Sequence, residues 1–359
     1  MTKKRILVCP LNWGIGHASR CIPVINVLLD EGNEVIIAAD GRPLTLLQKE
    51  FPQLEAIVLK GYDPRYPGFG SMAWKMFLTM FPILIGIWKE HLRLKKIIRD
   101  YNIDAVISDN RFGLWTRKVP CVYITHQLMI KAPWQLKLTE PFLHLFHRFF
   151  IYRYDRCWVP DFIDSENLSG HLSHLYHIPA HVEFIGPLSR FSAKKENPVQ
   201  ENFILAIVSG PEPQRTIFED ILKKQLTAYN QPAAIISGVP EVDRVEQQDH
   251  LTIYPHLPTP ELEQLIQKAA VVICRSGYST IMDLSILKKK AIFIPTPGQT
   301  EQEYLAEYHF KKGNCLYFTQ KQFDINKAMP QLESVKELSV LFNPKQLGSV
   351  IRNFLRSLN

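Results

Sequence analysis

Short β-branched and apolar runs alternate with helix-spaced stretches along almost all of this 359-residue chain, and this alternation constrains the fold more than any other feature. Runs at 5–9, 34–39, 54–59, 104–108, 120–124, 156–159 and 182–185 read as strands, with helices between most of them. Near-continuous apolar strands separated by helices require a parallel sheet covered on both faces. After EFIGPL comes SRFSAKKENPVQEN, polar, charged and proline-bearing, which reads as a linker over 189–201. The pattern then restarts with FILAIVSG, AAIISG, LTIYP, AVVICRSG, KAIFIPTPG and CLYF. The expectation is an α/β protein of two Rossmann-like domains, over 1–188 and 202–359, whose parallel sheets face each other across a cleft.

Composition agrees. With 46% hydrophobic and 21% charged residues, the chain can bury the cores of two domains. The start, MTKKRILVCP, is basic, but its apolar stretch is short and reads as a strand rather than a secretory signal. The longest apolar run, MFLTMFPILIGIW at 76–88, contains a proline and a glycine and falls short of the roughly 20 residues a bilayer needs. Six cysteines include no CxxC pair, and Cys9, Cys121 and Cys274 lie inside expected strands, as buried thiols in a reducing cytoplasm do. The formal charge of +7 is moderate and admits nucleic acid, anionic lipid or a phosphorylated substrate as partner. No nucleic-acid module is recognisable, so a nucleic-acid partner is not expected.

The stretch LNWGIGHASR joins the first expected strand to the first helix. In an open α/β sheet, ligands gather at this carboxyl edge. Gly14 and Gly16 let the backbone turn tightly and approach a ligand, and free N–H groups at the helix start favour an anion. Position 19 is serine, so the dinucleotide pattern GxGxxG is incomplete. His17 either caps the helix or acts as a base. DAVISDNRFG favours the base, because Asp109 and Asn110 follow another strand on the same edge, where a carboxylate can fix an imidazole tautomer and raise its basicity. His126, in YITHQ, reaches this edge too, either as an acceptor contact or as a buried histidine bonded to backbone. Arg20 is expected to brace the loop.

In the second half, VICRSGYSTIMDLSILKKKAIFIPTPGQTEQEYLAEYH (272–309) runs strand, SG turn, helix with Asp283, strand ending in prolines, and glutamine-rich helix start. This resembles the donor half of GT-B glycosyltransferases, in particular glycosyltransferase family 28, the group that includes the peptidoglycan GlcNAc transferase MurG. The glycine turn with His17 matches as well, so the resemblance covers nearly the whole chain. It implies a GT-B fold, with an acceptor-binding domain over 1–188 and a nucleotide-sugar-binding domain over 202–359.

Further implications are residue by residue. Arg275, Ser276, Gly277 and Thr280 would cradle the donor diphosphate at a helix start. Asp283 would accept the ribose hydroxyls, although the family more often has the longer glutamate there. Gln299, Gln302 and Glu303 would meet sugar hydroxyls, and His256 and Leu257 would line the base. In IVSGPEPQRT, Gly210 would face the donor, but where the family has a glycine- and serine-rich turn this chain has Pro211 and Pro213, which remove backbone donors. Arg215 would then either grip phosphate or be an exposed first-turn residue. No DxD stands at a strand end, and the pair Asp161 and Asp164 lies where the family has no metal, so no metal or cofactor is expected. The implied reaction is an inverting, metal-independent transfer from a nucleotide diphosphate sugar, with UDP as the nucleotide, to a hydroxyl. His17 would be the base and Asp109 its orienting group. A nucleotide-sugar hydrolase or epimerase of the same fold, or a non-catalytic sugar-nucleotide-binding protein, are the alternatives.

Two segments point to a membrane. In 70–101, Trp74, Phe77, Phe81, Ile85 and Trp88 adjoin Lys89, Arg93, Lys95, Lys96 and Arg99; 134–156 repeats the mixture. Aromatics beside basic residues suit an anionic interface, although apolar crossover helices commonly pack on their own sheet. Pro82 and Gly86 are expected to break the first of these helices. The reading is a peripheral protein at the inner face of the cell membrane, acting on a lipid-linked or polysaccharide acceptor.

Overall fold

The computed structural model describes residues 3–61, 72–132, 134–191 and 203–358. All but the first three residues of the expected linker over 189–201 lie outside them. The first sheet contains β1 (Arg5–Pro10), β2 (Glu34–Ala39), β3 (Glu55–Val58), β4 (Ala105–Asp109), β5 (Cys121–Ile124), β6 (Arg156–Val159) and β7 (Val182–Phe184). Their order is β3-β2-β1-β4-β5-β6-β7, with every pairing parallel. The helices α1 (Gly16–Asp30), α2 (Gly41–Glu50), α3 (Met72–Asp100), α4 (Glu140–Ile151) and α5 (His171–His174) are interleaved with these strands.

The second sheet repeats the plan. Strands β8 (Ile204–Ile207), β9 (Ala233–Ile236), β10 (Glu246–Gln248), β11 (Leu251–Tyr254), β12 (Val271–Cys274), β13 (Ala291–Phe293) and β14 (Cys315–Tyr317) lie in the order β10-β11-β9-β8-β12-β13-β14. Helices α6 (Gln214–Tyr229), α7 (Thr259–Lys268), α8 (Tyr278–Ile286), α9 (Thr300–Lys311) and α10 (Ile325–Ala328) alternate with them, and α11 (Pro344–Arg356) closes the chain. Only β10 pairs antiparallel; it is a short polar edge strand, exposed throughout, with no apolar residue to announce it in the sequence. Strands such as EVIIAA and VVIC are buried on both faces, as a helix-covered parallel sheet requires.

In each sheet the chain order reverses beside its first strand, between β1 and β4 and between β8 and β12. Switch points of this kind open a crevice at the carboxyl ends of the strands. The two crevices face each other. A Cβ on Gly14 (φ +76°) would lie 3.9 Å from Gly210, and the Ser279 hydroxyl of α8 donates to the Gly16 carbonyl at 2.9 Å.

The break expected at Pro82 and Gly86 does not occur: α3 runs through both from Met72 to Asp100. A proline removes one backbone hydrogen bond, at a cost of about 3 kcal/mol in a helix interior. Ile87, Leu94, Ile97 and Ile98 bury a stripe at helical spacing that offsets this loss. Among the described residues, no helix is long and apolar enough to cross a membrane. All six cysteines are buried and unpaired.

The last helix follows the second sheet but is held by the first domain. Phe354 meets Trp158 edge-on at 5.6 Å, Arg352 pairs with Glu31 at 3.0 Å, and the Leu358 carbonyl accepts from Lys4 at 3.2 Å. Phe354→Ala is expected to lower the unfolding free energy by about 3–5 kcal/mol, since it empties a fully packed site. Urea unfolding measures this, and a loss below about 1 kcal/mol would mean that α11 merely rests on the first domain.

Candidate functional site

His17 and Arg20 stand three residues apart on α1 and therefore share one face. Parallel pairing sets Pro10 at the end of β1 opposite Asp109 at the end of β4, so helix start and strand end meet in the first crevice. His17 Nδ1 lies 3.0 Å from Asp109 Oδ1. Arg20 Nε donates to Asp109 Oδ2 at 2.6 Å, and its Nη2 donates to Oδ1. Arg20 Nη1 is 3.0 Å from His126 Nδ1, and His126 Nε2 is 2.7 Å from Glu301 Oε1, across the cleft on α9. Asp109, Arg20 and His126 are buried, whereas the His17 side chain keeps 12% of its surface accessible.

The electrostatics follow from this packing. Burial opposes the Asp109 charge, but the Arg20 guanidinium and His17 overcome it and hold the carboxyl well below its usual range. Burial and the same guanidinium lower His17 below 6.5, against the pull of Asp109. The expected rise in basicity is therefore corrected, because Asp109 is shared with a permanent cation. The result is an imidazole that is neutral, and so able to accept a proton, at neutral pH.

Asn110 adopts φ +56° after β4 and accepts from the Tyr123 hydroxyl at 3.0 Å. His126 is buried, as one expected role had it, but it bonds to side chains rather than backbone. It also stacks on Tyr278 of α8, with ring centroids 4.2 Å apart.

In the second domain several expected donor groups are already engaged. The Ser276 hydroxyl donates inward to the Gln302 carbonyl at 2.7 Å, so it does not face a phosphate. Gln302 Oε1 accepts from the Thr296 N–H at 2.8 Å, and Glu303 Oε1 from the Gly298 N–H at 2.9 Å; both hold the loop between β13 and α9. Arg215 is neither exposed nor free. It donates to Glu212 at 2.5 Å, to Glu219, to the Ser237 carbonyl at 3.1 Å and to Thr216 at 2.8 Å, so the two glutamates neutralise it and it braces α6. Arg275 is fully buried, donating to the carbonyls of Ile294, Pro295 and Gln214 and to Gln320, and no carboxylate pairs with it among the described residues.

What faces the crevice is mainly backbone. Gly277 is the N-cap of α8, and a Cβ there would meet nothing within 4 Å. Thr280 follows on the first turn, partly exposed, and Gly210 (φ +108°) and Gln299, the N-cap of α9, lie at neighbouring strand ends. Asp283 accepts from the Ser189 hydroxyl at 2.5 Å, and burial raises its carboxyl to about 6 despite nearby Arg190. His256 is lowered to about 4 by burial and by Arg190 and Lys49, and Leu257 packs on the core. Among the described residues, no three metal-ligating side chains converge.

Sequence reasoning missed Glu301, Tyr278 and Ser279, and gave Arg20 too small a part. Arg20 was legible from its spacing to His17. Glu301 was masked by glutamine and glutamate neighbours that fit the resemblance better.

Residues 237–342 match the model of the Glycosyltransferase family 28 C-terminal domain. A UDP-N-acetylglucosamine–N-acetylmuramyl-(pentapeptide) pyrophosphoryl-undecaprenol N-acetylglucosamine transferase of Gloeothece citriformis is 23% identical, over 98% of this chain and 96% of the relative. A solved calicheamicin glycosyltransferase superposes with a TM-score of 0.64 at 12% identity, over 100% of this chain and 96% of that one. MurG of Acinetobacter baumannii superposes at 0.53 with 13% identity, over 98% and 92%.

Two stability measurements probe this site. Asp109→Asn leaves the buried Arg20 cation without a counter-ion and sets an amide N–H₂ against its donors, so a loss of about 3–5 kcal/mol is expected on denaturation. A variant as stable as the parent would show that the pair is not closed in solution. Asp283 is raised in the folded state, so the penalty for ionising it is absent below pH 3.8 and complete above about 6. Asp283→Asn should therefore raise the melting temperature at pH 8 and leave it unchanged near pH 3.5; the opposite pH order would refute the assigned shift.

Proposed function

We propose that this chain, a MurG-like glycosyltransferase of the GT-B fold, moves a sugar from a UDP-sugar to a hydroxyl of a lipid-linked acceptor, with inversion and without a metal. The observation that carries the reading is the His17–Asp109 pair at the first switch point, held within reach of Gly210 and α8 at the second. His17 Nε2 removes the acceptor hydroxyl proton as that oxygen attacks the anomeric carbon. The bond to the diphosphate breaks on the opposite face, so the configuration inverts. Backbone N–H groups at the start of α8 meet the departing charge, and the uncompensated Arg275 cation lies three residues earlier. Asp283 stands one and a half turns into α8, where ribose hydroxyls would follow the diphosphate.

The lipid acceptor rests on the surface of the first domain. Leu138, Phe142, Leu145, Phe149 and Tyr152 follow helical spacing along α4 and its flanks, and all are at least 50% exposed. Leu84, Ile85, Trp88 and Leu92 form a second exposed row on α3, beside exposed Lys89, Arg93, Lys95, Lys96 and Arg99. Trp115 and Arg153 join the rows: Trp115 lies 4.4 Å from His91, and Arg153 covers both Trp115 and Phe149. Exposed apolar rows rimmed by cations suit an anionic bilayer, as at the inner face of a cell membrane. Trp74, Phe77 and Phe81 lie in the part of α3 whose side chains are outside the described residues. The Gloeothece relative is named for an undecaprenol-linked acceptor, in line with this reading.

A thermal-shift panel of UDP-, GDP-, dTDP- and CMP-sugars tests the donor. A ligand at 100 times its dissociation constant should stabilise by about 2.7 kcal/mol, and silence from the whole panel removes the donor assignment. His17→Ala should cut turnover by about 10²–10⁴-fold with donor affinity nearly intact, and wild-type turnover should fall only below pH 6.5, as the imidazole gains its proton. A variant keeping a third of the turnover would remove His17 from the role. Liposome co-sedimentation tests the surface. Binding should rise with anionic lipid, fall with salt, and weaken when Phe142 and Trp88 become serine or when Lys95, Lys96 and Arg99 become glutamate; a protein that stays in the supernatant points to a soluble acceptor.

A further inference from the structure

Glu301, on α9 of the second domain, bonds directly to the His17 cluster, and no part of the proposed chemistry uses it. Its Oε1 lies 2.7 Å from His126 Nε2, and its Oε2 accepts from Gln127 Nε2. Arginine only donates, so His126 Nδ1, 3.0 Å from Arg20 Nη1, must be the acceptor. The His126 proton is therefore on Nε2 and points at the Glu301 carboxylate. The chain of contacts then runs Glu301, His126, Arg20, Asp109, His17.

Arg20 Nη2 carries two hydrogens at the end of this chain, and the choice falls to His17 Nδ1, which either donates to Asp109 Oδ1 or accepts from Nη2. Nη2 lies within reach of Asp109 Oδ1 and also 2.9 Å from His17 Nδ1. Where the second Nη2 hydrogen is turned out of line with His17, Nδ1 carries its own proton to the carboxylate, with a lone pair on Nε2. Where that second hydrogen meets Nδ1, the imidazole proton lies on Nε2 and the base is removed. The anchors of Arg20 through Nη1 to His126 and through Nε to Asp109 fix the guanidinium plane, and with it the line of that second hydrogen.

We propose that Glu301 is a positioning residue through which the second domain, seated on the first, sets the tautomer and orientation of His17. The proposal rests on His17 being the base. Tyr278 supports the same arrangement, because its ring lies flat on His126 at 4.2 Å while its hydroxyl donates to the Pro160 carbonyl at 2.9 Å. Two contacts from the second domain thus fix one imidazole of the first, and the base is aligned only where the cleft is closed.

The test uses the full chain, with UDP-sugar turnover and nitrogen NMR of the imidazoles. Glu301→Ala should lower kcat about 10–100-fold, the scale of a misplaced catalytic group, with donor KM within about threefold. Glu301→Gln, whose carboxamide oxygen still accepts the Nε2 proton, should keep most of the turnover. His126→Ala should match Glu301→Ala, and the double variant should lose no more than the worse single one, because both act along one path. The spectra should show His126 as the Nε2–H tautomer in the parent and a growing Nε2–H share for His17 in Glu301→Ala. Turnover within twofold of the parent, losses that multiply in the double variant, or a His17 tautomer unmoved by the substitution would each overturn the proposal. The tautomers are read without substrate. A parent protein that turns over no sugar nucleotide would defeat the functional reading and still leave Glu301 decided.

Discussion

The site depends on one buried carboxylate. Asp109 has no water to solvate it, and an isolated carboxylate at that depth is too costly to persist as a charge. Arg20 closes the charge with two donors, and His17 takes the remaining access to Oδ1. This need for partners determines local structure. The carboxylate comes from a strand end and its partners from the first turns of a helix, so the loop over 11–15 must bring the two together, and Gly14 at φ +76° supplies the bend. The same closure determines chemistry. A histidine beside a free aspartate would be drawn toward its protonated form; beside an aspartate already matched by arginine it stays neutral.

The second domain solves the opposite problem. On the proposed reading an anion is received there, yet the side chains expected to receive it are bonded inward: Ser276 to the Gln302 carbonyl, Gln302 to the Thr296 N–H, Arg215 to Glu212 and Glu219. These bonds make the loops rigid. They leave reception to the backbone at Gly277 and to the field of Arg275, a cation lying 4.0 Å over the Phe218 ring and lowered to about 10 by burial. A fixed positive end that need not reorganise when charge appears is what electrostatic stabilisation of a leaving diphosphate requires.

The fold was largely legible in the sequence because parallel strands buried on both faces carry a continuous apolar signal. Every expected strand has a counterpart in the structure, while β10, polar and at an edge, left no such signal. The pairing of His17 with Asp109 was legible from strand-end placement alone. The commitments of Ser276, Gln302 and Arg215 were not, since a motif gives residue type and rough position while hydrogen bonding depends on which neighbour is nearer. Glu301 was invisible for another reason: its partner His126 is 175 residues away in the other domain. The break assigned to Pro82 failed because local propensity was weighed without the buried stripe that outweighs it.

The contacts that hold the cleft shut differ in kind from those that hold each domain together. Arg42 to Glu241 and Lys49 to Asp243 are exposed ion pairs, each worth at most about 1 kcal/mol. The Thr300 hydroxyl on the Lys131 carbonyl and the His171 N–H on the Tyr304 hydroxyl are single hydrogen bonds that water can replace at a net cost of about 0.5–1.5 kcal/mol each. At the far side, α11 carries the chain back to the first domain through Ile351 and Phe354, both fully buried, an anchor that water cannot replace. Polar contacts at the mouth and an apolar anchor at the back divide the interface into a part that water can replace and a part that it cannot. The bond between Glu301 and His126 belongs to the first part, where it registers how the second domain sits on the first.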